Sequence, residues 1–230
     1  MRREPDLAAF LRHLPLFAGL GNAELARVGA GTTRRRLCRG EVLFRQGEPS
    51  TGFHAVVHGR IALTARSARG RARVTDIIEA GRSFGEAIMF LDKPYIVGAR
   101  ALTDALVLHV ARDTVFAEIE RSPGFARRVI AALAAKLQAT VRELDTYALG
   151  SGARRFAAWL LRAAPEGNGA TVMLPAAKSV IASRLNLSAE HLSRILGELS
   201  REGLIEMRGR RIAIQDVARL REWSERPGRT

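Results

Sequence analysis

The spacing of apolar residues changes character several times along this chain, and each change predicts a different kind of element. Residues 6–30 carry helical spacing in short pieces: Asp6 to Leu11, then a second helix opening near Asn22 with Leu25 and Val28 inward, joined by the apolar link Leu14 to Leu20. From Leu37 to Val110 the apolar runs shorten and alternate with glycine-bearing turns at Gly40, Gly47, Gly52, Gly59, Gly70 and Gly81. This cadence predicts a barrel of about eight short antiparallel strands, with corners at a hairpin across Gly59 and a looser turn from Ala68 to Gly70. Helical spacing returns at Arg112 to Ile119.

From Ser122 to Leu149 the chain predicts one long helix, opened by Ser122 as N-cap and Pro123 at the first helical position. Ile130, Leu133, Leu137, Thr140, Leu144 and Tyr147 recur in alternating steps of three and four, the spacing of a seam between two helices. An ordinary core helix packed on its own domain is the alternative. Gly150-Ser151-Gly152 then stops the helix and marks a flexible joint. The division expected is an effector-sensing barrel over 1–121, a dimerisation helix over 122–149 and a second domain over 150–230.

In that second domain, Arg154 to Ala163 predicts a helix with Phe156, Trp159 and Leu160 on one face, and Thr171 to Leu174 a strand. Ala176 to Arg201 predicts helix, tight turn, helix, with Ser188 as N-cap and Glu190 at the positive end of the second helix dipole. Leu192, Ile195, Leu196 and Leu199 make an apolar stripe, so Glu190, Ser193, Arg194 and Gly197 face outward. Such a helix suits a major groove, where Arg donates to guanine O6 and N7 and Glu accepts from cytosine N4. A plain ion pair between Glu190 and Arg194 is the competing account. Ala189 begins the same helix, while Lys178, Ser183 and Arg184 on the first helix are phosphate candidates. So are Arg208, Arg210 and Arg211 in the hairpin from Glu206 to Ile214.

Charge strengthens this picture: 37 Lys and Arg against 23 Asp and Glu leave a formal net charge of +14, which favours a polyanionic partner, double-stranded DNA first. The predominance of Arg and Ala also carries a compositional component. One cysteine, Cys38, excludes internal disulfides and a four-thiolate zinc or iron-sulfur site. The opening MRREPDL has no apolar core of a leader and no run reaches the ~18 apolar residues of a span, so a cytoplasmic protein with no membrane partner is expected.

Three motifs, FRQGEP (Phe44 to Pro49), FGEAIMF (Phe84 to Phe90) and SAEHLSRIL (Ser188 to Leu196), make the chain resemble the Crp/Fnr family of bacterial transcription regulators. The resemblance covers essentially the whole chain. It implies an α+β protein, not an enzyme: a cyclic-nucleotide-binding-like jelly roll, a dimer helix and a winged helix-turn-helix, with the homodimer bound to a palindromic operator. RNA polymerase is a further partner if the protein activates. The E-x-x-S-R pattern at Glu190, Ser193 and Arg194 resembles the Fnr branch and implies TTGAT-like half-sites; the Crp branch has Gly where Ser193 stands.

The same resemblance bears on sensing. Gly85 and Glu86 match the family's nucleotide motif, yet Tyr95 and Ile96 stand where its phosphate-binding Arg and Ser belong, so cyclic AMP is not expected. The cysteine set of an iron-sulfur sensor is missing too. FGEAIMFLDKP is similar to the Dnr-type nitric oxide regulators, which implies haem beside an apolar segment of Met89, Phe90, Tyr95, Ile96 and Val97, with Leu133 and Leu137 of the long helix and His13 as ligand. Two alternatives stay open: a DNA binder with no effector, and a cupin-type metalloenzyme using His54, His58 and His109.

Overall fold

The computed structural model describes residues 7–66, 72–148, 151–164 and 169–225; for 142–148 and Glu225 it describes the backbone only. The chain divides into two compact units, Met1–Gln138 and Ala139–Thr230.

The first unit opens with helices α1 (Leu7–Arg12) and α2 (Asn22–Ala30), separated by a 3-10 turn at Pro15–Phe17. Strands β1 (Thr32–Leu37), β2 (Val42–Phe44), β3 (Gly52–His58), β4 (Arg60–Arg66), β5 (Ala72–Glu79), β6 (Ser83–Phe84), β7 (Gly98–Ala101) and β8 (Ala105–Ala111) follow. They form two four-stranded sheets, ordered β1-β8-β3-β6 and β2-β7-β4-β5. A short helix α3 (Glu86–Phe90) interrupts them, and α4 (Arg112–Arg121) and α5 (Pro123–Ala148) follow.

Alternation along β3 and β8 explains the layering. Phe53, Ala55, Leu108 and Val110 face the helices, joining Leu11, Phe17, Leu25, Val28, Phe125 and Val129 in one buried cluster. Val56 and Val107, of opposite parity, join Leu37, Phe44, Ile61, Phe84 and Tyr95 in a second cluster between the sheets. Both faces of β3 are therefore covered, which is why it reads as a continuous apolar run. Helix α2 is clamped to α4 by Arg27, whose Nε and Nη2 donate to the Glu118 carboxylate at 2.8 and 2.7 Å. That pairing holds the Glu118 carboxyl below the ordinary carboxylate range.

Two corners differ from expectation. Gly59 is not the turn of a hairpin, because β3 and β4 lie in different sheets. It is the crossing point between them: its φ is +84° and a side chain there would meet the Asp104 carbonyl oxygen at 2.4 Å. The strand that pairs with β4 is β5, and the turn at Ala68 to Gly70 lies outside the described residues.

The second unit contains α6 (Gly152–Ala163), β9 (Thr171–Met173), α7 (Lys178–Arg184), α8 (Ala189–Arg201), β10 (Ile205–Arg208), β11 (Arg211–Ile214) and α9 (Val217–Glu225). Its sheet runs β10-β11-β9. Ser151 caps α6 by accepting from the Arg154 amide at 3.3 Å. Gly152, expected in a loose joint, is the first residue of α6 and is buried; a side chain there would meet Leu187 at 2.2 Å. Phe156 and Leu160 are fully buried as their spacing predicts, while α9, which carries buried Leu220 and Trp223, was not foreseen.

Between the two barrel sheets sits an imidazole. His54 is 6 % exposed, lies among the rings of Phe44, Phe84 and His109, and its Nδ1 has no hydrogen-bond partner. Burial, helped by the neighbouring His109 and Arg35, pushes its pKa down to about 3; burial also lowers that of His109. Because the folded protein keeps His54 neutral while the unfolded chain protonates it near pH 6.5, this contribution to stability is complete above about pH 6.5 and is lost progressively toward pH 3. Urea unfolding followed from pH 7 to 5 should therefore show stability falling by up to about 1.4 kcal/mol per pH unit from this group. His54→Phe should flatten that slope, and an unaltered slope would refute the assignment.

Candidate nucleic-acid interface and effector region

Helix α8 is oriented by what it buries. Leu192, Ile195, Leu196 and Leu199 are each at most 4 % exposed, and the Ser188 hydroxyl accepts from the His191 amide at 3.1 Å as N-cap. The opposite face presents Ala189, Glu190, Ser193, Arg194 and Gly197 to solvent. Among the described residues neither the Glu190 nor the Arg194 side chain has a hydrogen-bond or ion-pair partner, so the competing intrahelical pair is not formed. Ser193 donates back to the Ala189 carbonyl at 2.9 Å. No atom lies within 4 Å of where a Gly197 side chain would begin.

Helix α7 packs Ile181 and Ala182 inward and leaves Lys178 exposed. Ser183 and Arg184 are half-buried and already engaged within the chain. The tight turn to α8 passes through Asn186 at φ +56°, and Arg155 of α6 steadies it by donating to the Leu185 carbonyl at 3.1 Å.

In the β10–β11 hairpin the three arginines part company. Arg211 is exposed, and Arg208 is exposed but pairs with Glu206 at 2.8 Å. Arg210, expected to grip phosphate, is exposed as well and already engaged within the chain: Nε and Nη2 both donate to the Leu174 carbonyl, at 3.2 and 2.5 Å. The same Leu174 amide donates to the Arg210 carbonyl at 2.8 Å, so Arg210 fastens the hairpin to the end of β9.

The expected effector pocket does not come together. Met89 is buried in the helix-facing cluster, Tyr95 in the inter-sheet cluster, and Ile96 and Leu137 are each 65 % exposed. Phe90 meets Phe116 edge-on at 5.6 Å, Leu133 is half-buried against the helix-facing cluster, and Val97 and Gly85 are half-buried. These residues face three different surroundings and do not wall one cavity. Tyr95 stacks on Phe44 at 3.7 Å and donates to the Gly52 carbonyl at 3.3 Å, occupying space between the sheets; burial raises its pKa. His13 follows the end of α1 and is exposed, with Nδ1 2.6 Å from the Ala9 carbonyl oxygen. This arrangement does not fit a haem, which needs apolar walls about one axial ligand. Of the cupin trio, His54 and His109 are neighbours with ring centroids 5.0 Å apart, whereas His58 is exposed. Among the described residues no group of three metal-capable side chains occurs.

Glu86 has a different role from a ligand contact. Its side chain is 5 % exposed and its carboxylate lies 2.7 Å from Nζ of Lys136 on α5, which also donates to the Ser83 carbonyl at 2.8 Å. Sequence inspection did not single out Lys136, although it is one of three lysines in an arginine-rich chain. With Phe125 and Val129 also facing the core, the pair sets α5 in rotation, and Ile130, Leu137 and Val141 are left exposed at 66, 65 and 49 %. At about 100° per residue those three lie within roughly 40° of one another. Leu133 and Thr140 of the expected seam fall outside this stripe, Leu133 turning toward the barrel; the Leu144 and Tyr147 side chains lie outside the described ones.

Residues 34–122 match the family model of the cyclic nucleotide-binding domain and residues 154–223 that of the Crp-like helix-turn-helix domain. The chain is 27 % identical over 208 residues, 90 % of its own length and 95 % of the other's, to the cyclic AMP receptor protein of Thermus thermophilus. Among solved structures, one from Ruegeria pomeroyi, described as a cyclic nucleotide binding protein, superposes with a TM-score of 0.65 at 29 % identity, covering 96 % of this chain and 97 % of that one. DNR from Pseudomonas aeruginosa gives 0.54 at 27 % identity, covering 96 and 99 %. With both domains present in this order, the chain belongs to the Crp/Fnr family of DNA-binding transcription regulators. Among the described residues no helix is long and apolar enough to cross a membrane.

Lys136→Met strands a buried carboxylate and should cost about 3 kcal/mol in urea unfolding. Adding Glu86→Gln should recover much of that loss; a single-variant loss under about 1 kcal/mol would mean the pair behaves as a solvated surface bridge.

Proposed function

We propose that the protein is a homodimeric regulator that reads an inverted repeat of TTGAT-like half-sites with α8, and that it does so with no small molecule inside the barrel. The observation that carries the DNA reading is the outward face of α8: Glu190 and Arg194 stand unpaired on a helix whose other face is anchored by four buried aliphatic side chains. Those groups supply the acceptor and the bidentate donor that a G·C pair requires. Gly197 adds support. A glycine within a helix costs up to about 1 kcal/mol relative to Ala, and nothing in the chain crowds the position, so close approach of a partner gives the residue a use. Lys178, Arg208 and Arg211 are placed for backbone phosphates.

Dimerisation is the reading of the exposed Ile130, Leu137 and Val141 stripe, which a second copy of α5 covers in the manner of a two-helix seam. The absence of an interior effector rests on Tyr95 and Phe44 filling the space between the sheets and on Lys136 already neutralising Glu86. Cyclic AMP has no paired cation there, and no step is routed through haem. The same packing disfavours catalysis in the barrel, so the protein is read as a non-enzyme acting inside the cell on double-stranded DNA.

Fluorescence anisotropy with a TTGAT inverted repeat and a scrambled duplex tests the first claim. Ligand-free protein should prefer the repeat, and Arg194→Ala should lose about 1–3 kcal/mol of that preference while retaining most of the salt dependence. Equal preference in the variant would remove Arg194 from base reading. For the second claim, sedimentation of Ile130→Glu/Leu137→Glu should show monomer where the parent is dimer, with operator affinity falling in step. A parent that sediments as monomer at micromolar concentration would sink the seam.

A further inference from the structure

Over the sheet of β2, β7 and β4 lies a cavity of about 320 Å³, walled in part by Phe44 and Ala99 of the inter-sheet cluster. Three arginines, Arg45, Arg66 and Arg100, line it together with Gln46 and Thr64, and no carboxylate does. The sheet makes the hollow. Gly98 at the start of β7 lies between the end of β2 and Thr64 of β4 and has no side chain to fill the gap. Val42, Phe44 and Ala99 provide the apolar part of the lining.

The arginines are weakly committed elsewhere. Arg66 has no side-chain partner within the chain, and Arg45, 78 % exposed, approaches Glu48 only to 3.7 Å. Arg100 donates from Nη1 to the Gly40 carbonyl at 3.0 Å, which leaves further N–H groups of its fork open. Guanidinium groups gathered at a hollow that no carboxylate lines suit an anion that accepts several hydrogen bonds at once, and phosphate fits their fork geometry. The volume sits at the lower end of the ~300–1,000 Å³ of small-molecule sites, several times what an ion and its waters need.

We infer that this cleft binds a phosphorylated small molecule, its phosphate held by Arg45, Arg66 and Arg100 and its organic part resting on Val42, Phe44 and Ala99. No residue that lines the cleft lies on α8. Binding there bears on β2, β4 and β7, the strands that share the inter-sheet cluster with Tyr95.

Isothermal titration of the full chain with inorganic pyrophosphate, and separately with ribose 5-phosphate, reads the inference directly. Saturable binding of one equivalent per subunit is expected for at least one probe. Arg45→Gln/Arg66→Gln should weaken it by about tenfold or more, since each lost charge-assisted bond carries that order of effect. Thermal midpoint and ligand-free operator binding should stay at parental values, because neither side chain holds the fold or touches α8. Arg194→Ala, which alters the DNA-reading face, should leave phosphate binding intact. The inference is overturned if neither probe saturates, if the double variant binds as the parent does, or if sodium chloride at equal ionic strength abolishes binding of both probes as simple screening would. Operator binding is measured separately, so loss of either claim leaves the other standing.

Discussion

A carboxylate almost wholly removed from water must have a cation against it, and the first unit is arranged to supply one to Glu86. An uncompensated ion in that position costs several kcal/mol. The compensating Nζ comes from Lys136, fifty residues along the chain and on a different element. Its aliphatic stem runs along the protein while about half the side chain stays wet. That single contact fixes α5 against the motif following β6, and through the helix period it also decides which residues of α5 remain outside. The exposed stripe is thus a geometric consequence of the buried pair: once Phe125, Val129 and Lys136 face the barrel, Ile130, Leu137 and Val141 cannot.

In the Crp/Fnr resemblance, the acidic residue after the glycine belongs to a nucleotide pocket; here the charge of Glu86 is met by Lys136. Tyr95 completes the exchange. Where a phosphate-binding Arg would stand, the ring stacks on Phe44 and its hydroxyl is satisfied by the Gly52 carbonyl, so the position is occupied and hydrogen-bonded without a guest. His54, also inside, stays neutral because burial, with His109 and Arg35 nearby, disfavours its charged form.

Local periodicity carried the helices and the interface well, and the reasons are local. The faces of α2, α6 and α8 follow from the 3.6-residue repeat, and the caps at Ser122 and Ser188 are contacts within three residues. Choices between distant partners were not legible. Gly59 carried a turn signal that β3 and β4 share with any hairpin, and only the sheets' assembly separates them. An apolar segment such as Met89 to Val97 shows that its side chains want burial, not which cluster each will join; Met89 and Tyr95 went to opposite sides of the first sheet and Ile96 to solvent. Lys136 as the partner of Glu86 and Arg210 as a brace for Leu174 are contacts across fifty and thirty-six residues. Helix α9 escaped because Val217, Leu220 and Trp223 are set among charged residues, and burial in the second unit, not a strong repeat, completes the helix.

The chain's charge has to be read in the same way, residue by residue. A net charge of +14 suggests a protein basic all round, yet many arginines are spent on internal structure: Arg27 on Glu118, Arg155 on the Leu185 carbonyl, Arg210 on the Leu174 carbonyl. Arginine serves these places because its fork can satisfy carbonyl and carboxylate oxygens in fixed geometry without losing its charge. Once those are set aside, Lys178 on α7, Arg194 on α8 and Arg211 in the hairpin keep side chains with no partner among the described residues, as does Arg66 at the cleft over β2, β7 and β4. The same residue type thus serves as internal brace and as uncommitted cation, and only the pattern of hydrogen bonds tells the two uses apart.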